Sequence, residues 1–260
     1  MTNALKPIHN IKYKLVSPEE LEALLSTTIP PDTKPPADEP SVIQTYDIVN
    51  ASNYAKALEE LRASSTTFHP KDSSGRFRPL TARETLEARL EQDDLLEKYN
   101  NTCTGIYYKQ SDPNHFYLIP ISPELLSLPS DFNSEFYPFN SVPQGATQLS
   151  RSGSRYNASM PYSEVIEHEG WLTLAEDRGL LERYAQKVFQ KIFDDNWNSP
   201  TSKAMGFYLR NSVAANELRA VCLNDLNLNS GANGGISLDG SCRFVRVVAQ
   251  RRRKNFGGGK

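Results

Sequence analysis

The sequence predicts an α+β fold, a mixed domain behind an N-terminal helical accessory region. Three observations carry this reading. First, from residue 102 onward, segments 104–109 and 116–121 are rich in β-branched and aromatic residues. Turn chemistry at Gln110-Ser111-Asp112-Pro113-Asn114 lies between them, so the pair reads as a hairpin. Second, residues 177–193 repeat Leu181, Tyr184, Val188 and Ile192 at helical spacing, with Ala185 and Phe189 recurring beside them. Third, strand-like segments at 206–210, 218–223 and 243–248 bracket a stretch rich in Asn, Gly and Ser.

Upstream, residues 1–40 read as an arm. Ser17-Pro18-Glu19-Glu20 is a capping box with Pro at the first helical position, opening a short helix through Leu21, Leu24 and Leu25. Five prolines between Pro30 and Pro40 then favour an extended strap. Ser52 is placed to cap a helix through Tyr54, Ala57, Leu58 and Leu61. Thr81 and Glu84 form a second capping box, opening a charged helix with Leu86, Leu90 and Leu95. Residues 127–160, with several prolines, glycines and serines, read as a long loop. The expected division is therefore an accessory region at 1–101, a domain at 102–248 and a disordered basic tail at 249–260, which carries Arg251, Arg252, Arg253 and Lys254.

Composition narrows the function classes. The chain has 260 residues, 38% hydrophobic and 23% charged, with 17 prolines and a net charge of −2. The balance of charge gives no sign of a nucleic-acid partner. No apolar run approaches the roughly 18 residues of a membrane span, and no signal peptide is expected. Three cysteines, Cys103, Cys222 and Cys242, cannot all pair within one chain, which argues against a disulfide-built module; a Cys222–Cys242 bridge stays possible in principle. No compartment is assigned; association with a virion or cell surface stays open.

Catalytic signals are weak. The chain has no Walker loop, no Rossmann glycine fingerprint, no HExxH and no GxSxG. His9, His69, His115 and His168 are far apart, and none stands at metal-ligand spacing from another histidine or a cysteine. His168, between Glu167 and Glu169, reads as an exposed loop histidine, and Cys103 as a small core residue. No catalytic residue, no metal ligand and no cofactor is expected.

The unusual feature is 211–242, with six asparagines, four glycines and four serines inside otherwise orderly segments. Leu218, Ala220, Leu223, Leu226 and Leu238 recur as anchors, and small or polar residues lie between them. Lys, Glu, Gln, Met and Trp make up roughly one residue in six of the chain, so about five are expected over 212–242, yet Glu217 alone occurs. Codons ending in C or T cannot encode these five types. Asparagine codons altered at their adenines would yield the Ser, Gly, Asp, Ile, Ala, Val and Cys that fill the stretch.

The closing block, Met205-Gly206-Phe207-Tyr208-Leu209, then Asn216-Glu217-Leu218-Arg219-Ala220, then Arg243-Phe244-Val245-Arg246-Val247, resembles the end of a C-type lectin-like domain. In layout it is similar to the variable proteins of diversity-generating retroelements, in the subgroup related to formylglycine-generating enzymes. The resemblance implies a non-enzymatic binding protein whose C-terminal hypervariable surface is rewritten by error-prone reverse transcription at adenines. It implies ligand contacts from Asn211, Ser212, Ala214, Val221, Asn224, Asp225, Asn227, Asn229, Gly231, Asn233, Gly234, Ile236, Ser237, Asp239, Gly240 and Ser241. The partner would be an unidentified protein or cell-surface ligand. The resemblance further implies that the hairpin near 103–121 approaches the final strand, and that Trp171, Phe244, Val245 and Val247 form framework. Trp197 would cap the helix end or border the site.

Two departures limit what carries over. The chain lacks the Glu-Pro-Asn or Gln-Pro-Asp triplet of calcium-dependent lectins, and Trp197-Asn198 is followed by Ser199. Residues 211–242 offer only Glu217, Asp225 and Asp239, whereas calcium takes about six to eight oxygens. The cysteines lack the context of a formylglycine-generating pair. An enzyme of that type and a structural or attachment protein remain the alternatives.

Overall fold

A strand near the start of the described chain and a strand at its end pair with each other and close the fold. The computed structural model describes residues 42–64, 68–228 and 230–252. Strand β1, Val42–Ala51, pairs with β10, Cys242–Arg252, in a two-stranded sheet. Between them come helices α1 (Tyr54–Ala63) and α2 (Ala82–Glu91), strands β2 (Asn100–Tyr108) and β3 (His115–Ile119), and the short helix α3 (Pro123–Leu126). Short strands β4 (Tyr137–Pro138), β5 (Thr147–Ser150) and β6 (Ser159–Pro161) follow, then helices α4 (Tyr162–Val165), α5 (Glu169–Ala175) and α6 (Arg178–Phe193). Strands β7 (Lys203–Tyr208), β8 (Glu217–Leu223) and β9 (Ala232–Asn233) complete the main sheet, whose order is β5-β3-β2-β8-β9-β7-β6, with β4 also on β8.

Local signals produced most of these elements as expected. The capping box of α2 is complete: Thr81 Oγ1 accepts the Glu84 N–H at 3.1 Å, and Glu84 Oε2 accepts the Thr81 N–H at 2.8 Å. Arg78 grips the same carboxylate through both Nη atoms, at 2.7 and 2.8 Å. The cap of α1 is Asn53 rather than Ser52: its Oδ1 accepts the Lys56 N–H at 2.8 Å. On α6, Asp177 caps, Leu181, Tyr184 and Val188 are buried, and Ile192 is half-buried. Inside the expected 127–160 loop, β5 pairs with β3 and β4 pairs with β8. Among the described residues, no helix is long and apolar enough to cross a membrane.

The expected boundary at 101/102 is wrong. Residues 42–251 form one compact unit. Ala82, Leu86 and Leu96 share a core with Ile106, Phe116, Trp171 and Phe207. The second core joins Tyr54, Leu58 and Leu61 to Tyr107, Leu218 and Phe244, and the Tyr54 and Phe244 rings meet edge-to-face at 4.9 Å. Amphipathic helices such as α1 need a sheet to cover, and here β2 and β10 supply it. The hairpin approaches the final strand as expected, Asn101 Oδ1 accepting the Arg243 N–H at 3.1 Å and Phe244 sharing a core with Tyr107 and Tyr117, while the ladder partner of that strand is β1; residues 249–252 are strand rather than tail. The arm at 1–40, with its Ser17 capping box and its prolines, and the end of the tail, 253–260, lie outside the described residues.

Two buried histidines are structural. His168, expected in an exposed loop, is 3% exposed and caps α5: it accepts the Trp171 N–H, bonds the Arg155 carbonyl at 3.0 Å and stacks on Phe207. His69 accepts the Val247 N–H on Nδ1 at 3.0 Å and meets the Arg78 carbonyl through Nε2 at 2.7 Å, so its proton sits on Nε2 and the ring is neutral. Burial pulls the His69 pKa down to about 4. An unfolded histidine titrates near 6.5. Between these values the unfolded chain takes up a proton that the native chain refuses, so this contribution, complete above pH ~6.5, is lost as pH falls toward 4. Urea midpoints should drop over that window, and His69→Gln should flatten the slope; an unchanged slope would contradict this assignment.

Candidate functional site

The expected ligand-contacting residues fall in four places, two of which meet. Asn211, Ser212 and Ala214 are exposed on the loop between β7 and β8. Neighbouring chain segments hold that loop. Asn157 donates from Nδ2 to Asn211 Oδ1 at 2.8 Å and accepts the Leu209 N–H at 2.7 Å, and Asn216 Oδ1 accepts the Gln110 N–H at 2.9 Å. Arg151 donates to the Arg210 carbonyl at 2.6 Å. The second group is half-buried: Asn233 ends β9, and Ile236 and Ser237 follow on the loop after it, where Asn233 Oδ1 accepts the Gly235 N–H at 2.8 Å. Tyr108 ties the two loops together. Its hydroxyl accepts the Arg210 N–H at 3.4 Å and donates to the Gly234 carbonyl at 3.2 Å.

Beneath these loops lies Arg219, 1% exposed. It donates to Glu217 Oε2 at 2.8 Å and to the carbonyls of Glu135 and Ile236, each at 3.2 Å, and its guanidinium lies over the Phe136 ring at 5.4 Å. Arg219 thus fastens the loop after β9 from below through the Ile236 carbonyl.

The other two groups stand apart in the chain's architecture. Asp239 lines a polar cleft of about 460 Å³ with Asn53, Lys56 and Asp131, while Ser241 borders a different cleft beside Tyr99 and Arg243; Asp239, Gly240 and Ser241 are all exposed. Asp225 is half-buried and Asn227 exposed around a short turn fastened by the Leu226 N–H to the Leu96 carbonyl at 3.0 Å. Asn229 lies outside the described residues.

Four of the expected contact residues cannot present side chains to a ligand. Val221 is 1% exposed at the centre of β8, and Asn224 is 6% exposed. Gly231 and Gly234 are buried, and close approach requires glycine at both. A Cβ on Gly231 would lie 2.6 Å from the Tyr208 ring and 2.9 Å from the Gly206 carbonyl oxygen; on Gly234 it would lie 2.6 Å from Ile106. Alternation of small residues along the sequence could not separate such packing glycines from display positions. The residues that organise the surface, Tyr108, Arg151, Asn157 and Arg210, all fell outside the expected set. All but Arg210 lie more than fifty residues upstream of 211, and nothing in their local sequence marked them.

No protein-family model matches the chain, and no curated protein matches it. A solved protein, described as showing the accommodation of massive sequence variation in Nanoarchaeota by the C-type lectin fold, superposes with a TM-score of 0.55. The match covers 78% of this chain and 98% of that one, at 14% sequence identity. This chain has the C-type lectin fold.

Within this lectin fold, exposed loop positions and packing glycines should respond differently to substitution. Ser212→Tyr and Ala214→Tyr should each change stability by less than about 0.5 kcal/mol, and Asn211→Tyr by up to about 1 kcal/mol, since it removes the acceptor of the Asn157 amide. Gly231→Ala should destabilise by about 1–3 kcal/mol, because the backbone oxygen of Gly206 cannot move aside without breaking the β7–β9 ladder. Thermal melts of the four variants measure this; a loop variant as damaging as Gly231→Ala would show that the loop carries the fold.

Among the described residues, no group of three or more His, Cys, Asp or Glu side chains comes together to hold a metal ion. The three cysteines are free and buried, and burial pushes the thiols of Cys103 and Cys222 up to about 12.

Proposed function

We propose that this protein is a non-enzymatic ligand-binding protein that displays changeable side chains on the loops joining β7 to β8 and β9 to β10. The observation that carries the reading is the division of labour at these loops. Buried groups hold the backbone, chiefly Arg219, Tyr108 and the packing glycines, while Asn211, Ser212, Ala214, Asp239, Gly240 and Ser241 face outward. Surface changes at such positions leave the folded state nearly unperturbed, which is the physical condition for a binding face that tolerates many sequences. The solved C-type lectin protein described by its massive sequence variation supports the same use of the fold.

We extend the proposal to the source of that variation. The scarcity of residues that codons ending in C or T cannot encode fits retroelement mutagenesis directed at adenines. Sequencing the genomic neighbourhood tests it. A near-identical repeat with adenines at these codons, beside a reverse transcriptase, is expected; an intact locus with no such repeat would remove the mechanism.

The alternative of a formylglycine-generating type of enzyme requires an accessible thiolate. Cys222 and Cys242 are free, buried and held as thiols by desolvation, which speaks against it. A thiol-dependent oxidase activity abolished by Cys222→Ser would reverse this conclusion.

A further inference from the structure

Two arginines at the proposed binding face, Arg151 and Arg210, stand outside the ion pairs formed by the described residues. Arg219 is paired with Glu217 in the buried layer, and its Nη2 makes no hydrogen bond, the Glu135 carboxylate lying 3.7 Å away. Above it stand Arg151 and Arg210, and among the described residues neither forms an ion pair. The Arg151 guanidinium lies over the Tyr108 ring at 5.4 Å and spends one N–H on the Arg210 carbonyl. The Arg210 stem lies against Gly235, within 3.4 Å of where a Cβ would stand. The Nε atoms of both are buried and make no hydrogen bond. Both cations are thus oriented by packing, partly desolvated and outside any ion pair among the described residues, beside the exposed amide pair of Asn157 and Asn211.

Such an arrangement favours an anion over a neutral ligand. A guanidinium held in place by an aromatic face loses little further freedom on binding, and its planar fork matches a carboxylate. The surrounding amides and loop carbonyls offer the donors and acceptors that a peptide backbone uses. We infer that Arg151 and Arg210 receive carboxylate side chains of an acidic segment on a protein partner. The inference rests on the ligand-binding reading and names the class of ligand for that same face.

The test is fluorescence anisotropy of a labelled hexaglutamate peptide with the full chain, at low and at physiological ionic strength, against a hexaglutamine peptide. Binding of the acidic peptide alone is expected, weakening with salt, and falling at least about tenfold in the double variant Arg151→Gln/Arg210→Gln. The basic run Arg251, Arg252, Arg253 and Lys254 could attract the same peptide, so a chain with these four changed to Gln serves as the control and should keep the arginine-dependent part. Equal binding of both peptides, no loss in the double variant, or loss only in the tail variant would overturn the inference. So would arginine-dependent binding of oligogalacturonate with no binding of hexaglutamate, since the carboxylate would then belong to a glycan. Circular dichroism of the double variant confirms folding. Failure here with a template repeat present in the genome defeats only the ligand class. Arginine-dependent binding without such a repeat defeats only the diversification.

Discussion

Arg219→Leu should lower the stability of the folded chain by about 3–5 kcal/mol, because it strands a carboxylate in the interior. Glu217 is 2% exposed, and the Nε of Arg219 is its partner at 2.8 Å. The same substitution frees the carbonyls of Glu135 and Ile236, so the loop after β9 also loses its floor. Replacing both members of the pair by leucine should do less harm than Arg219→Leu alone, since no lone charge is then left in the interior. Urea denaturation of the two single variants and the double variant forms the cycle that measures this. If Arg219→Leu cost under about 1 kcal/mol, the pair would not be the fastening of the loop after β9.

Arg89→Met should have an effect of similar size for a different reason. Arg89 is fully buried, and its guanidinium is in none of the ion pairs formed among the described residues. It donates instead to five neutral acceptors: Asn100 Oδ1, the Tyr184 hydroxyl, and the carbonyls of Lys98, Leu223 and Asn224, at 2.6–3.0 Å. One side chain on α2 thereby joins β2, the end of β8 and α6. Methionine removes the cost of burying the charge but leaves those acceptors unsatisfied, each at about 1–3 kcal/mol before relaxation. A net loss of about 3 kcal/mol or more is expected. Arg89→Lys should rescue little, because an ammonium with three donors cannot span the fork. Hydrogen exchange would show faster opening from Leu223 onward in Arg89→Met. Unchanged exchange there would mean that the turn at Leu226–Leu228 is held by its own backbone bonds.

Together these two arginines explain how a loop-rich face can be stable. The stretch 211–242 is poor in large apolar residues, so burial of its own side chains holds it only at anchors such as Leu218, Leu223 and Leu238. Hydrogen bonds from buried cations to loop carbonyls supply the rest, and they are indifferent to the side chains that those carbonyl-bearing residues display. Cys222 and Cys242 are buried free thiols, Cys242 filling space in the second core beside Tyr54 and Phe244.

Much of the framework was legible because its signals act over a few residues. The Thr81–Glu84 capping box spans one helical turn, the stripe on α6 repeats every turn, and the β2–β3 hairpin is set by its turn. The display loops were legible as a region, because Asn, Gly and Ser cluster there, and Asn211, Ser212 and Ala214 are indeed outside. Val221 and the packing glycines were misassigned because the same small residue types serve both exposed tips and tight crossings. His168 was misassigned because its charged neighbours Glu167 and Glu169 suggested solvent, while the ring itself turns inward onto Phe207.

By itself, then, the sequence determined the α+β class, the principal helices and strands, and the position of an unusual stretch rich in Asn, Gly and Ser near the carboxyl end. Only the tertiary structure decided that β1 and β10 close the domain, that residues 42–101 belong to its core, and that Arg151 and Arg210 converge on the display loops. The reason is the range of the forces involved. Caps and periodicity operate within three or four residues, whereas Arg243 meets Asn101, and Arg219 meets Glu135, across separations of 142 and 84 residues. Which of many similar strands or charges meet at such distances is settled by the packing of the whole chain.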